Sequence, residues 1–300
     1  TSRSDVWPAG FAALGVPALP RPESIALLRE YLTKGKEKRQ ESDVDLDKVA
    51  GVLGDLPLAL TLAGSYLAAY PGIPVAAYLQ RLAGTDVLEV LGPREENAPY
   101  AWTKHDLDVA RTFRVSLDRL QPDESATDAA ARRLLAGAAC LVPGEPFPRE
   151  LLLGMLAESD DPHRPEDALR RLLALGLLER AGEGRLRLHR LIARFVEEES
   201  SRQDAKGNEG AKKEGVGMMA VAREGMEEAV YGLAQRQNKA GDPRALRGWE
   251  GHFHHVMDVA FGQDENRSAN LCNEMGYYLR MSGDLAGARP YYERALAIRE

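Results

Sequence analysis

Few residues of this chain combine a type and a spacing that could do chemistry. His252, His254 and His255 are the densest set of candidate metal ligands. They lack the i,i+4 histidine pair of a helical zinc site, and no carboxylate or cysteine is spaced to complete four ligands, so a packing role between helices is expected. Gly35 and Lys36 are adjacent, as in the phosphate-cradling loop G-x-x-x-x-G-K-[ST], but Glu30 stands where the leading glycine belongs. The chain has no nucleophile elbow, no paired-cysteine motif and no H-E-x-x-H. The basic stretch RLRLHRLIAR (185–194) could meet phosphates, yet EEES follows at once and PEDALRR before it mixes signs, so nucleic acid is not an expected partner. These residues perform no catalysis unaided, and no metal site is expected.

One further candidate is a shape rather than a reactive group. In GDLPLALTLAGSYLA (54–68) a proline opens a helix that is apolar on nearly every face. Pro57 has a preset φ and needs no N–H partner in a first helical turn, and Asp55 is expected to cap that turn. Leu58, Leu62 and Tyr66 follow one face and Leu60, Ala63 and Leu67 another, so the helix is expected to be buried on most of its circumference.

The elements that position these residues read as helices. One is expected to start near Pro22 to Ser24, with Leu27, Leu28 and Leu32 as its apolar stripe. A second spans about Leu46 to Leu53, the Pro57 helix is the third, and a fourth carries Val75, Tyr78, Leu79 and Leu82 at helical spacing. From Leu107 to Ser200 the pattern changes. Helices DAAARRLLAGAACL, PRELLLGML and PEDALRRLLALGLL precede two short runs that flank Gly182–Gly184 and read as a β-hairpin, and RLIARFVEEES closes the unit. Three helices followed by a hairpin wing is the layout of a winged-helix domain. Residues 201–217, rich in Gly, Lys and Glu without apolar periodicity, are expected to be a mobile linker. Helices follow at Met218–Gln237 and Pro243–Phe261, and then an antiparallel pair in which Gly276 and Ala288 permit close approach and Gly283 with Asp284 makes the turn.

Length and composition bound the rest. Three hundred residues suggest two or three units of about 100 to 200 residues. Ala, Leu, Arg and Glu dominate over β-branched and aromatic residues, which favours a mainly α chain. The net charge of -7 gives no overall pull toward nucleic acid or an anionic membrane. Cys140 and Cys272 read as buried thiols of a reducing, cytoplasmic compartment, and no charge-free window of eighteen apolar residues suggests a membrane span. The chain opens at Thr1 without an initiating methionine or a signal segment and ends at Glu300 with an apolar helix face unfilled, so both ends are expected to be cut.

The order of these pieces resembles an NB-ARC type STAND ATPase, a signal-transduction switch with C-terminal tetratricopeptide (TPR) repeats. TSR at the start, LGDLPLAL, the segment ending LRLHRLIARFV and a last helix pair ending YYERALAIRE carry the likeness across nearly the whole chain apart from the linker. The resemblance implies four parts. Residues 1–105 are the end of a nucleotide-binding region with an ARC-like helical bundle, 106–200 a winged helix, 201–217 the linker, and 218–300 the start of a TPR-type solenoid. It also implies an ADP/ATP site, with the P-loop and its magnesium in a part outside this sequence, so that the whole protein is an ATP-hydrolysing switch and this piece alone is not catalytic. Arg3 matches the sensor arginine that reaches the terminal phosphate, and Pro57 the proline that packs on the adenine ring, with Gly54 leaving room. His189 matches the histidine of the M-H-D motif that touches the β-phosphate of ADP, although Leu188 and Arg190 replace the flanking methionine and aspartate. A protein or peptide ligand of the repeats and self-association on activation are the partners implied. The rival readings are a transcription regulator with a DNA-binding winged helix and a plain repeat scaffold with no nucleotide dependence.

Overall fold

The computed structural model describes residues 18–34, 40–85, 104–210, 217–241, 243–260 and 265–299. Among them are fourteen helices and one small sheet, so the protein is mainly helical. Arg3 lies outside the described residues.

Four helices come first: α1 (Arg21–Lys34), α2 (Asp43–Val52), α3 (Pro57–Ala69) and α4 (Val75–Gly84). Leu28 and Leu32 of α1 are buried as their spacing predicts, and so are Val75, Tyr78 and Leu82 of α4. Helix α2 begins three residues earlier than expected, because Ser42 Oγ accepts the Asp45 N–H at 3.1 Å and so satisfies one of the free donors of the first turn. Helix α3 is the core of this bundle. Ala59, Leu60 and every residue from Leu62 to Leu67 are buried, with α1 on one side and α5 (Lys104–Leu117) on another.

The middle of the chain continues with α6 (Ala126–Ala139), β1 (Phe147–Pro148), α7 (Arg149–Gly154), α8 (Arg164–Ala174), β2 (Glu179–Arg180), β3 (Arg185–Arg187) and α9 (Arg190–Gly210). The hairpin expected around Gly182 is present. A strand without alternation to announce it, β1, joins its far side, so the antiparallel sheet has the order β1-β3-β2 with Phe147 opposite Leu186 and Glu179 opposite Arg187. Helix α9 runs well past Ser200, into the stretch expected as linker. Ser201 Oγ bonds the Glu197 carbonyl at 2.8 Å, and Arg202 pairs with Glu198 one turn back at 3.7 Å, so the helix carries its own support there. Residues 211–216 lie outside the described residues.

A charged and aromatic clamp joins the first four helices to the middle of the chain. Arg119 donates from Nε to the Tyr66 hydroxyl at 2.9 Å while its guanidinium lies 4.4 Å from the centre of the Tyr70 ring. Arg171 of α8 donates to the Arg119 carbonyl at 2.9 Å and pairs with Asp128 of α6 at 3.1 Å.

The last part holds α10 (Met218–Ala240), α11 (Pro243–Arg247), α12 (Glu250–Ala260), α13 (Glu265–Met281) and α14 (Leu285–Arg299). One helix was expected over Pro243–Phe261, and the structure breaks it at Gly248, whose carbonyl accepts from Arg185 Nη1 at 3.0 Å instead of from the helix ladder. Phe261 lies outside the described residues. Helices α13 and α14 pack against each other at close range, as their small residues predict: a Cβ on Gly276 would stand 3.0 Å from the Tyr292 ring. No helix among the described residues is long and apolar enough to cross a membrane.

Candidate functional site

The Pro57 corner is built from the backbone outward. Gly54 and Asp55 both have positive φ, at 62° and 56°. Such a conformation is open to glycine but costs about 1–2 kcal/mol for an ordinary L residue. Asp55 is held in it. Its carboxylate takes two bonds from Arg21, Nε to Oδ1 at 2.7 Å and Nη2 to Oδ2 at 2.9 Å, and its N–H bonds the Ala50 carbonyl at 3.0 Å. The Arg21 guanidinium holds the Asp55 carboxyl below the usual carboxylate range. Asp55 therefore does not cap α3 as expected. The cap position is Leu56, and no side chain caps that end. Pro57 occupies the first helical position with its ring exposed, at the start of a helix that is otherwise interior. Gly54 faces α5, where a Cβ would stand 3.7 Å from Asp108 Oδ2. That aspartate is buried, with Arg111 at 3.3 Å. Sequence reading missed Asp108 and Arg111, because no local pattern announces a contact between residues more than fifty positions apart.

His189 sits in the turn between β3 and α9, half-buried, and accepts the Leu191 N–H at Nδ1 at 3.2 Å. That bond leaves the proton on Nε2, which has no hydrogen-bond partner among the described residues. Burial lowers the His189 pKa from the ordinary histidine value; Glu179 opposes that shift while Arg190 and Arg187 add to it, and the net lowering leaves the ring a neutral N–H donor at neutral pH. Of the replaced neighbours, Leu188 is buried and Arg190 is exposed, which adds a cation where the resembled motif has an anion.

Helix α5 links the two places. Phe113 and Phe195 have ring centroids 5.6 Å apart, and Arg114 Nη1 pairs with Glu199 at 3.1 Å. Helix α5 thus touches α9, which follows the His189 turn, and α3, which follows the Pro57 corner.

No protein-family model matches this chain, and no curated protein matches it.

No group of three His, Cys, Asp or Glu side chains among the described residues could hold a metal ion. His252 packs between α12 and the connection before β1, accepting the Val142 N–H at Nδ1 (3.1 Å) and facing the Pro146 carbonyl with Nε2 (3.3 Å). His254 meets the Tyr291 hydroxyl at 3.2 Å. Both cysteines are free thiols, Cys272 buried and Cys140 half-buried, with the Cys140 thiol pushed up to about 12 by its burial.

Proposed function

We propose that this chain is a regulatory part of a STAND-type nucleotide switch of the NB-ARC class. In this reading α1–α4 are the ARC-like bundle, α5–α9 with the sheet form the winged helix, and α10–α14 begin a TPR-type solenoid that takes a protein or peptide ligand. ADP or ATP lies against Pro57 and His189, while a part outside this sequence brings the P-loop and magnesium, and Arg3 reaches the terminal phosphate.

The observation that carries the reading is the exposed ring of Pro57. A helix that is interior along most of its length leaves one rigid apolar surface bare at its start, beside a backbone corner that an Arg21–Asp55 fork holds in a costly conformation. A flat ring without an N–H suits a purine face, and the uncommitted Nε2–H of His189 suits a phosphate oxygen. Nucleotide bound to both would hold bundle and winged helix together, and a ligand on the repeats would favour release, exchange for ATP and self-association. Only a nucleotide that contacts the two arrangements differently can shift their balance.

The test uses the complete protein with its upstream sequence, purified in magnesium and stripped of nucleotide by denaturation. About one ADP per chain is expected. A hydrogen bond to a charged group contributes about 1.5 kcal/mol or more, so His189→Ala should release ADP at least about tenfold faster, and Pro57→Ala should weaken retention with an unchanged circular dichroism spectrum. Absence of bound nucleotide, or equal retention by wild type and both variants, contradicts the assignment.

A further inference from the structure

A cleft of about 150 Å³ opens between α8 and the β2–β3 hairpin, lined by neither Pro57 nor His189. Its charged lining is Arg149, Arg170, Arg180, Arg185 and Glu166. Four guanidinium groups thus face one carboxylate, in a chain whose net charge is -7. Two of the four have carboxylate partners: Arg149 pairs with Glu166, and Arg170 with Asp167 at 2.7 Å. The other two do not. Arg185 gives one N–H to the neutral Gly248 carbonyl, and Arg180 is exposed on β2 with no ion pair among the described residues. Arg185 is also held in place, since β3 is paired on both sides and a methyl on Gly248 would collide with the guanidinium. Gly182 and Gly184 leave the mouth open, with no atom within 4 Å of where either Cβ would stand.

We propose that this cleft is a second ligand site, for a phosphate-type oxyanion carried by a small molecule, with Arg180 and Arg185 as its principal donors. A guanidinium fork matches the oxygens of a phosphate in geometry as well as charge. The cleft has room for a phosphate or pyrophosphate group beside these arginines. Because Arg185 also ties the hairpin to the corner between α11 and α12, an oxyanion that takes its remaining N–H groups acts on the contact between the middle of the chain and the last helices.

The test titrates inorganic pyrophosphate into this 300-residue chain at constant ionic strength, reading heat and thermal unfolding. Saturable binding and a rise in Tm are expected. Arg180→Ala, an exposed position with no structural role, should weaken binding about tenfold, the loss for one charged hydrogen bond of about 1.5 kcal/mol, and Arg180→Lys should recover only part of it. A shift that sodium chloride reproduces, or equal affinity in wild type, Arg180→Ala and Arg185→Ala, overturns the proposal. Binding that survives Arg180→Ala and is lost in His189→Ala puts the anion at the start of α9 and overturns it too. Duplex DNA held more tightly than pyrophosphate through the same arginines makes the occupant a polymer and overturns the small-molecule assignment.

Discussion

Phe113→Ala should lower the unfolding free energy by about 3–5 kcal/mol, the loss typical of a large aromatic side chain removed from a closed core. Phe113 has no exposed surface, and its ring lies 5.6 Å from that of Phe195, itself fully buried. Helix α5 packs against both α3 and α9, and this pair of rings is part of its contact with α9. Phe113→Leu keeps most of the volume and should cost less than about 1.5 kcal/mol. Urea denaturation followed by circular dichroism measures both. A loss below about 1 kcal/mol for alanine contradicts the packing described. In the complete protein the alanine variant should also retain less ADP than its stability loss alone would cause, because the two contacts would no longer move as one.

His252 should make the attachment of the last helices depend on pH. The imidazole is buried and uses both nitrogens, Nδ1 as acceptor from Val142 and Nε2 as donor to Pro146, an arrangement open only to the neutral ring. Burial lowers its pKa from the ordinary histidine value. Among the groups that face it, the Pro146 carbonyl and Glu145 of the preceding connection raise that value, while His255 of its own helix and Arg185 of β3 lower it. The unfolded chain therefore takes up the proton first as pH falls. The stability His252 contributes is complete above about pH 6.5, the ordinary value, and is lost as pH drops through the lower folded-state value. His252→Leu leaves the Val142 N–H and the Pro146 carbonyl without partners and should cost about 1–3 kcal/mol at pH 7.5. His252→Gln can accept from the one and donate to the other, so it should keep stability at pH 7.5 and flatten the decline between pH 7 and 5. His189, whose pKa burial also lowers, adds slope of the same sign, and Glu197 and Glu198, whose pKa values burial raises, oppose it. Thermal unfolding across that range measures the effect, and an undiminished slope in His252→Gln contradicts it.

How much of this could be read from the chain itself depended on whether the cause was local. Pro57 marks the start of α3 to the residue, and the apolar residues behind it announce its burial, because a helix start and an apolar helix are both written in adjacent positions. The glycine turn of the hairpin and the small residues Gly276 and Ala288 of the last helix pair are local in the same way. Asp55 was misread as a cap because its partner, Arg21, lies more than thirty residues earlier, and a positive φ at an aspartate leaves no mark in the sequence. Strand β1 is two residues long and has no period to detect. At the Gly248 break the carbonyl takes a bond from an arginine on β3, and the clamp of Tyr66, Tyr70, Arg119 and Arg171 joins residues from three separate stretches. At the candidate site, Pro57, Gly54 and His189 are named by the resemblance alone, and Asp108 and Arg111, which meet the Gly54 corner, have no local signal in the sequence.

The proposed function rests an adenine ring on the exposed proline at the start of α3. Photolabelling the complete protein with 8-azido-ADP, followed by peptide mapping, tests that contact directly. The prediction is a label on the peptide containing Pro57 that unlabelled ADP suppresses. A label confined to other peptides, or one that ADP does not suppress, contradicts a nucleotide seated against this wall.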